Sequence, residues 1–371
     1  MNTKKIKLFY IFCLLFFCIQ MSAAINRPFL WDIDNIQQLK NKGRGNAEFM
    51  NWVNAANTFV KTAGPTVMDK PKTWSGDKHN YETVAPYYWP DPNNPQGKYI
   101  VLDGKMNPDY NLYDRNRLDE LAVRCKTLAI AYYLTGDTSY STAWLRDMNR
   151  WFVDKATKMY PQFDYAQIIP THTSMGVPGG IIEAYVFTDV VDGILLMDSL
   201  GVLSTKVSKA YKKWFKSFVK WMNVSYDGAL RFKNTDNIGT AYDVLLYSLS
   251  IYTNNTKQCD EIERSFANLR LYSQIEQSGA QTQELQRTLS VKYSIYNLSH
   301  IIDLCTMSQK RGKDIYGENK KLIDNAYSFL KDIVDRRDNR KYKESGDWKE
   351  YDKEIKTESS RLKKLVVKPV E

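Results

Sequence analysis

From Asp114 onward, apolar residues recur at helical spacing rather than in alternation. In DRNRLDELAVRCKTLAIAYYLTGDTSYSTAWLRDMNRWFVD, one stripe runs through Leu118, Leu121, Ala122, Cys125, Leu128 and Ala129. A second runs through Trp144, Leu145, Met148 and Phe152. Such spacing marks helices that bury one face. Gly136 between the stripes suits a left-handed helix end, and Asp137 suits the start of the next helix. The stretch VLLYSLSIYTNNTKQCDEIERSFANLRLY repeats the layout of helix, polar turn, helix. Two helix pairs of similar size predict an all-α array of α-hairpins.

Three stretches depart from this pattern. Lys72 to Tyr110 carries five prolines and three glycines among Tyr, Trp and Lys. That density prevents long helices and predicts an ordered loop, long enough to act as a lid or binding segment. Within it Lys78, His79, Tyr87, Tyr88 and Trp89 supply cation, imidazole and stacking faces; a clamp over helix ends is a compatible reading. Between Thr205 and Met222, Lys206, Lys209, Lys212, Lys213, Lys216 and Lys220 share a helix with Trp214, Phe215, Phe218 and Met222. This predicts a solvated outer face over an apolar inner face, with a membrane-surface helix as the competing reading. From about Arg336 the charges are of mixed sign, which predicts a final solvent-facing helix or a frayed tail over 336–371.

The N-terminus adds a destination. Lys4, Lys5 and Lys7 precede an apolar run from about Leu8 to Ile19, and Ser22-Ala23-Ala24 offers small residues for cleavage. Residues 1–24 therefore read as an export signal, leaving 25–335 as the main domain of a periplasmic or secreted protein. No later stretch is apolar enough for stable membrane insertion. Cys125, Cys259 and Cys305 remain after cleavage, an odd number without CxxC spacing, so no disulfide framework is expected. The formal charge of +10 becomes about +7 when the three signal lysines leave. A basic exported protein points to an anionic partner.

Local motifs exclude several chemistries. There is no HExxH, Walker loop or GxSxG, and His79, His172 and His300 have no metal-ligand spacing. His300, inside NLSHIIDLC, reads as a core imidazole. In QIIPTHTSMGVPGGIIEAY, His172 precedes Gly176, Pro178, Gly179 and Gly180 at a helix entry, where an anion is favoured or where glycines serve close packing. NTDNIGTAYD combines Asn237 with a Gly-Thr turn but carries Ile238 where a titratable group would be useful. In QIEQSGAQTQELQRTLSVKYSIYNLSHIID, a polar loop rises into a helix expected to carry Glu284, Arg287 and Tyr293. Arg287 and Tyr293 would then lie about 120° apart on it. Nucleic-acid binding has no supporting motif.

Five blocks occur in order: SGDKHNYETVAPYYWPDP, LDGKMNPD, YAQIIP, NTDNIGTAYD and QIEQSGAQTQELQRTLSVKYS. Together they resemble the alginate lyase superfamily of polysaccharide lyases, over nearly all of the mature chain. The resemblance implies an incomplete α/α toroid, an α/α barrel of helical hairpins, with the long Pro/Gly/aromatic loop as its lid. It implies β-elimination on alginate or a related polyuronate, giving 4,5-unsaturated uronate ends without metal or organic cofactor. A base removes the C5 proton, hydrogen-bond donors neutralise the adjacent carboxylate, and an acid protonates the departing O4. By resemblance Asn237 matches the carboxylate-binding Asn, Arg287 the active-site Arg and Tyr293 the catalytic Tyr, with neighbouring cations favouring its phenolate. Lys78, His79, Trp89, His172 and Glu284 are the expected substrate contacts. The chain departs from the family's Asn-Asn-His-Gly-Thr motif at Asp236 and Ile238, and Ala241 replaces the usual Trp.

Two competing readings follow. A catalytically degenerate homologue would bind acidic polysaccharide without cleaving it. A glycoside hydrolase of toroid fold would need paired carboxylates; Asp236, Asp243, Glu276 and Glu284 are the candidates, and their spacing selects no pair.

Overall fold

Each apolar stripe becomes a helix bounded by its own start and stop signals. The computed structural model describes residues 27–225, 234–338 and 346–366; the expected export segment 1–24 lies outside them. The longer helices are α1 (Ile33–Lys42), α2 (Ala47–Val60), α3 (Arg115–Thr135), α4 (Thr138–Phe152), α5 (Phe187–Ser199) and α6 (Thr205–Val224). They continue with α7 (Asn237–Thr253), α8 (Thr256–Phe266), α9 (Ser290–Lys310), α10 (Lys320–Arg336) and α11 (Trp348–Val366). Gly136 ends α3 with φ 72° and donates its N–H to the Tyr132 carbonyl, while the Asp137 side chain accepts from Ser139 N–H to open α4. Asn254 at φ 61° and the Asn255 cap make the same joint between α7 and α8.

Burial sorts these helices into an inner and an outer layer. α3, α5, α7 and α9 pack side by side, and α4, α6, α8 and α10 return along their outside. Every residue of α7 except Ile238 is buried, as expected of a helix that is apolar all round. Each fully buried Leu, Ile or Val contributes about 1.5–3 kcal/mol. The result is the α/α toroid expected from the sequence. Because outer helices alternate with inner ones, the four inner helices run the same way and present their N-termini on one rim. Unsatisfied N–H groups and the helix dipole make that rim favourable to anions. Away from the rim, buried Asp192 on α5 accepts the N–H groups of Phe29, Leu30 and Trp31 at 2.5, 2.7 and 2.8 Å. Lys310, in the last turn of α9, donates to the Pro28 carbonyl at 3.0 Å.

The charged C-terminal stretch is integrated into this core. On α11, Tyr351, Ile355, Leu362 and Leu365 are buried, and the helix packs on α9 and α10. Arg361 pairs with Asp303 of α9 and with Glu358. The stripe is easily missed because charges of both signs fill most positions around it. Cys125, Cys259 and Cys305 are buried free thiols.

The Pro/Gly-rich stretch between α2 and α3 is tied down at several points. Buried Lys70 donates to the carbonyls of Val67, Lys78 and Asn80 and pairs with Asp114, which precedes α3, at 2.7 Å. Buried Glu82 accepts from the Thr73 and Ser75 hydroxyls and from the Trp74 and Ser75 N–H groups. Short strands add to an otherwise helical fold. β1 (Glu82–Val84) pairs in parallel with β4 (Tyr165–Ile168), Glu82 facing Tyr165 and Val84 facing Ile168. β2 (Tyr88–Trp89) pairs antiparallel with β3 (Ile100–Val101), Tyr88 facing Val101 and Trp89 facing Ile100.

Candidate active site

The first turn of α7 answers part of the question raised by NTDNIGTAYD. Asp236 is its N-cap, accepting from the N–H groups of Ile238 and Gly239 at 3.1 and 3.3 Å. Asn237 follows as the first helical residue, buried, with its backbone N–H and Nδ2 each 2.7 Å from a different oxygen of Glu284. Glu284 occupies a short 3₁₀ turn and is itself buried. The sequence places it among the substrate contacts; in the structure both carboxylate oxygens are taken up by Asn237. Burial pushes the Glu284 carboxyl up to about 7, the Asn237 hydrogen bonds pull the other way, and the nearby Asp236 charge adds to the rise.

Gly239 has a packing reason. A Cβ there would lie 2.3 Å from the Asn234 carbonyl oxygen and 3.1 Å from the Arg270 guanidinium. Arg270 donates to that carbonyl at 2.9 Å and pairs with Asp243 at 3.0 Å, both side chains buried. Around it, Thr240 donates to Gln274, Gln274 to the Asp236 carbonyl, and Asn297 to both Gln274 and Gln281. This amide lattice joins the start of α7 to α9. Sequence reasoning missed it; the available signal was Asn297, four residues and so one turn beyond Tyr293.

α9 begins at Ser290, so it carries Tyr293 but neither Glu284 nor Arg287. Arg287 is extended, with φ −72° and ψ 158°, and folds back so that its guanidinium lies 3.9 Å from the centre of the Tyr293 ring. The expected 120° separation on one helix therefore does not apply. Arg287 also grips Asp103 from the lid, Nη2 to Oδ1 at 2.8 Å and Nε to Oδ2 at 3.3 Å, and Asp103 accepts from Thr288 N–H at 3.1 Å. Those bonds, the Arg287 ones first, hold the Asp103 carboxyl down to about 2.

The other arm of the lid reaches the phenol. The Tyr87 and Tyr293 hydroxyls share a 2.8 Å hydrogen bond. The β2–β3 hairpin explains why both arms arrive together: Leu102 N–H donates to the Tyr87 carbonyl at 2.8 Å, and Asp103 is the next residue. Burial, then the Tyr87 hydroxyl, pushes the Tyr293 phenol well above its ordinary value, while Arg287 acts in the opposite direction. The expected cation is thus in place, but its charge is shared with Asp103 and the resting phenol keeps its proton.

The remaining expected contacts each have partners of their own. Trp89, two residues after Tyr87, donates Nε1–H to the Lys105 carbonyl at 2.8 Å and has the Lys105 ammonium 5.0 Å from its ring. Lys78 donates to the Met68 carbonyl at 3.3 Å. His79 bonds the Lys158 carbonyl through Nδ1 at 2.7 Å and stacks on Tyr160. His172 is exposed beside Thr171, whose hydroxyl donates to the Gly97 carbonyl of the lid at 2.8 Å. His300 is buried between the rings of Tyr185 and Tyr296, and burial pushes it down to about 3. Gly176 and Gly180 are there for packing: a Cβ at either would strike the Ala166 backbone. Gly179 faces Ile238, whose Cδ1 would be 3.5 Å from an added Cβ.

Beneath the lid, Gln167 takes a left-handed conformation at φ 54°, which an L residue adopts only when its surroundings impose it. Its N–H donates to Thr83 Oγ1 at 2.7 Å and its Nε2 to buried Glu183 at 3.1 Å. Glu183 also accepts from Tyr81 and Thr83.

The toroid fold agrees with comparisons to known proteins. Residues 66–340 match the family model described as alginate lyase. An alginate lyase from Bacteroides ovatus is 34% identical, with 91% of each chain covered and a TM-score of 0.85. Two variants of alginate lyase A1-III, each complexed with tetrasaccharide, are 16% identical over 77% of each chain, with TM-scores of 0.50 and 0.51, a likeness of fold alone. No curated protein matches the chain. With the family model spanning most of its length and a structural relative at 34% identity, the chain belongs to the alginate lyase family.

Proposed function

We propose that this protein is an exported lyase that cleaves alginate or a related polyuronate by β-elimination. The observation that carries the reading is the meeting of Arg287, Tyr293 and Tyr87 over α9, beside an Asn237 held by Glu284. One hydrogen of the Asn237 amide is committed to Glu284 and the other remains to meet a substrate carboxylate. That hydrogen and the Arg287 guanidinium supply donors for the charge that builds on the carboxylate as C5 loses its proton. Ile238 cannot move a proton, so Tyr293 is assigned both transfers in a syn elimination. Its proton first passes through the Tyr87 hydroxyl to solvent; the phenolate then takes the C5 proton, and C4=C5 forms as C4–O4 breaks. The same proton passes to O4. The phenolate this leaves regains a proton from solvent by the same route, restoring the resting phenol.

The test uses the mature protein with polymannuronate, polyguluronate and glucuronan, following the ultraviolet absorbance of the conjugated product. Absorbance that rises for the unsubstituted protein and vanishes in Tyr293→Phe supports the proposal. Silence on all three polymers, with absorbance appearing in Ile238→His, would instead identify a scaffold that binds acidic polysaccharide but lost its chemistry at one position. Saturated reducing ends would point to hydrolysis and overturn elimination.

A further inference from the structure

Helix α6 carries a line of ammonium groups that the elimination does not use. Lys206, Lys209, Lys213, Lys216 and Lys220 are all exposed. Their alternating steps of three and four residues place them within an arc of about 80° and along about 21 Å of helix. α6 contains no acidic residue, and none of the five lysines is ion-paired with any described residue. Like charges at these spacings repel one another along a helix, so the row is neutralised best by an anion from outside.

The rest of the helix narrows the class of anion. Tyr211, Trp214, Phe215, Phe218, Val219 and Met222 are buried in the core, so the apolar face that a membrane-lying helix inserts into lipid is already occupied. Successive lysines are separated by about 5 Å along the axis, close to the length of one pyranose unit in an extended chain. α6 runs antiparallel to α7: Tyr242 donates to the Met222 carbonyl at 2.7 Å, and Phe215 packs on Tyr252. The Lys220 end of the row therefore lies toward the rim on which Asn237 opens α7.

We infer that this lysine row is a second, noncatalytic binding surface for an extended polyuronate, with ammonium groups matched to successive carboxylates. The choice of polymer rests on the proposed function; the presence of a polyanion site on α6 does not. By contrast, the lysines of α11 are interleaved with Glu350, Asp352 and Glu354, which makes that helix a matched control.

Affinity electrophoresis in a Tyr293→Phe background reads binding without turnover. The added substitutions Lys209→Gln, Lys213→Gln, Lys216→Gln and Lys220→Gln are expected to weaken binding of long polymannuronate about tenfold at low salt. In the active protein the same four changes should leave turnover of a uronate trimer unaltered. Substituting Lys349, Lys353, Lys356 and Lys363 with Gln removes the same charge and should change polymer affinity less than about twofold. If the fourfold α6 variant does not fold, Lys213→Gln with Lys216→Gln should give a smaller loss in the same direction. Unchanged affinity in the α6 variants, equal loss in the α11 control, or no polymer binding at all would overturn the inference. So would tighter binding to phosphatidylglycerol vesicles or duplex DNA than to the polymer. If no polyuronate is cleaved yet polymer binding still depends on α6, the surface stands and the proposed reaction falls.

Discussion

Glu284 holds Asn237 by both oxygens, one on the backbone N–H and one on the side-chain amide, each at 2.7 Å. A carboxylate gripping one residue in this way sets which end of the amide faces the rim. Glu284→Gln retains one acceptor oxygen but replaces the other with a donor, so it opposes one of the two N–H groups. The expected result is a fall in kcat of about 10–100-fold with a smaller change in KM, since misplacing a reacting group costs about that much. Steady-state kinetics of the variant check it; an unchanged kcat would reduce Glu284 to a purely structural partner.

The same carboxyl gives a pH dependence with a definite sign. Folded Glu284 keeps its proton to about 7, whereas an unfolded Glu releases it near about 4.3. Between those values the folded state binds more protons, so this group's contribution to stability is greatest below the lower value and declines as pH rises through about 7. Activity should run the other way, because the ionised carboxylate holds Asn237 best. An acid limb near 7 in kcat/KM, together with a Tm that declines over the same interval, is expected. Both should be absent from Glu284→Gln.

Asp103 joins the Pro/Gly-rich loop to Arg287 and Thr288, next to the proposed catalytic Tyr293. Asp103→Ala is expected to lower kcat/KM about tenfold by loosening the lid over Tyr293. Because both side chains remain partly open to solvent, the pair's effect on stability stays below about 1 kcal/mol. With its carboxyl held down to about 2, the latch contributes stability at all pH values above the ordinary carboxylate range and loses it as pH falls toward 2. Kinetics and thermal melts of the single variant separate the two effects.

Tyr87 can be tested through its neighbour. Its hydroxyl is the second cause, after burial, of the raised Tyr293 phenol. Tyr87→Phe is expected to bring the Tyr293 titration down and to slow proton exit from it. Phenolate absorbance across an alkaline titration should show the downward shift relative to the unsubstituted protein. The same variant should lower kcat, and a normal kcat would remove Tyr87 from the proton path.

Lys70 and Asp114 form a fully buried pair. Lys70→Met leaves Asp114 without its partner and orphans the carbonyls of Val67, Lys78 and Asn80, so a loss of about 3–5 kcal/mol is expected. Burial already raises the Asp114 carboxyl to about 7, so the variant should be least impaired in mild acid, where that carboxyl is neutral. Denaturant melts on either side of neutrality check both size and sign.

Helix positions were legible because the apolar period and caps such as Gly136 and Asp137 are consequences of spacing within a few residues. The ordered motifs assigned Asn237, Arg287 and Tyr293 to one family pattern by resemblance. What the sequence alone could not place was each partner: Glu284 on Asn237, Asp103 on Arg287 and Tyr87 on Tyr293, across separations of 47, 184 and 206 residues. Periodicity also misassigned Arg287 to the helix of Tyr293, since nothing local showed that α9 begins at Ser290. It left α11 outside the core because charges surround its apolar stripe. Local hydrogen bonds and side-chain spacing determine the helices in the sequence itself. Only closure of the helices into a toroid, driven by burial of their inner faces, brings the lid's two arms and the α7 and α9 N-termini onto one rim.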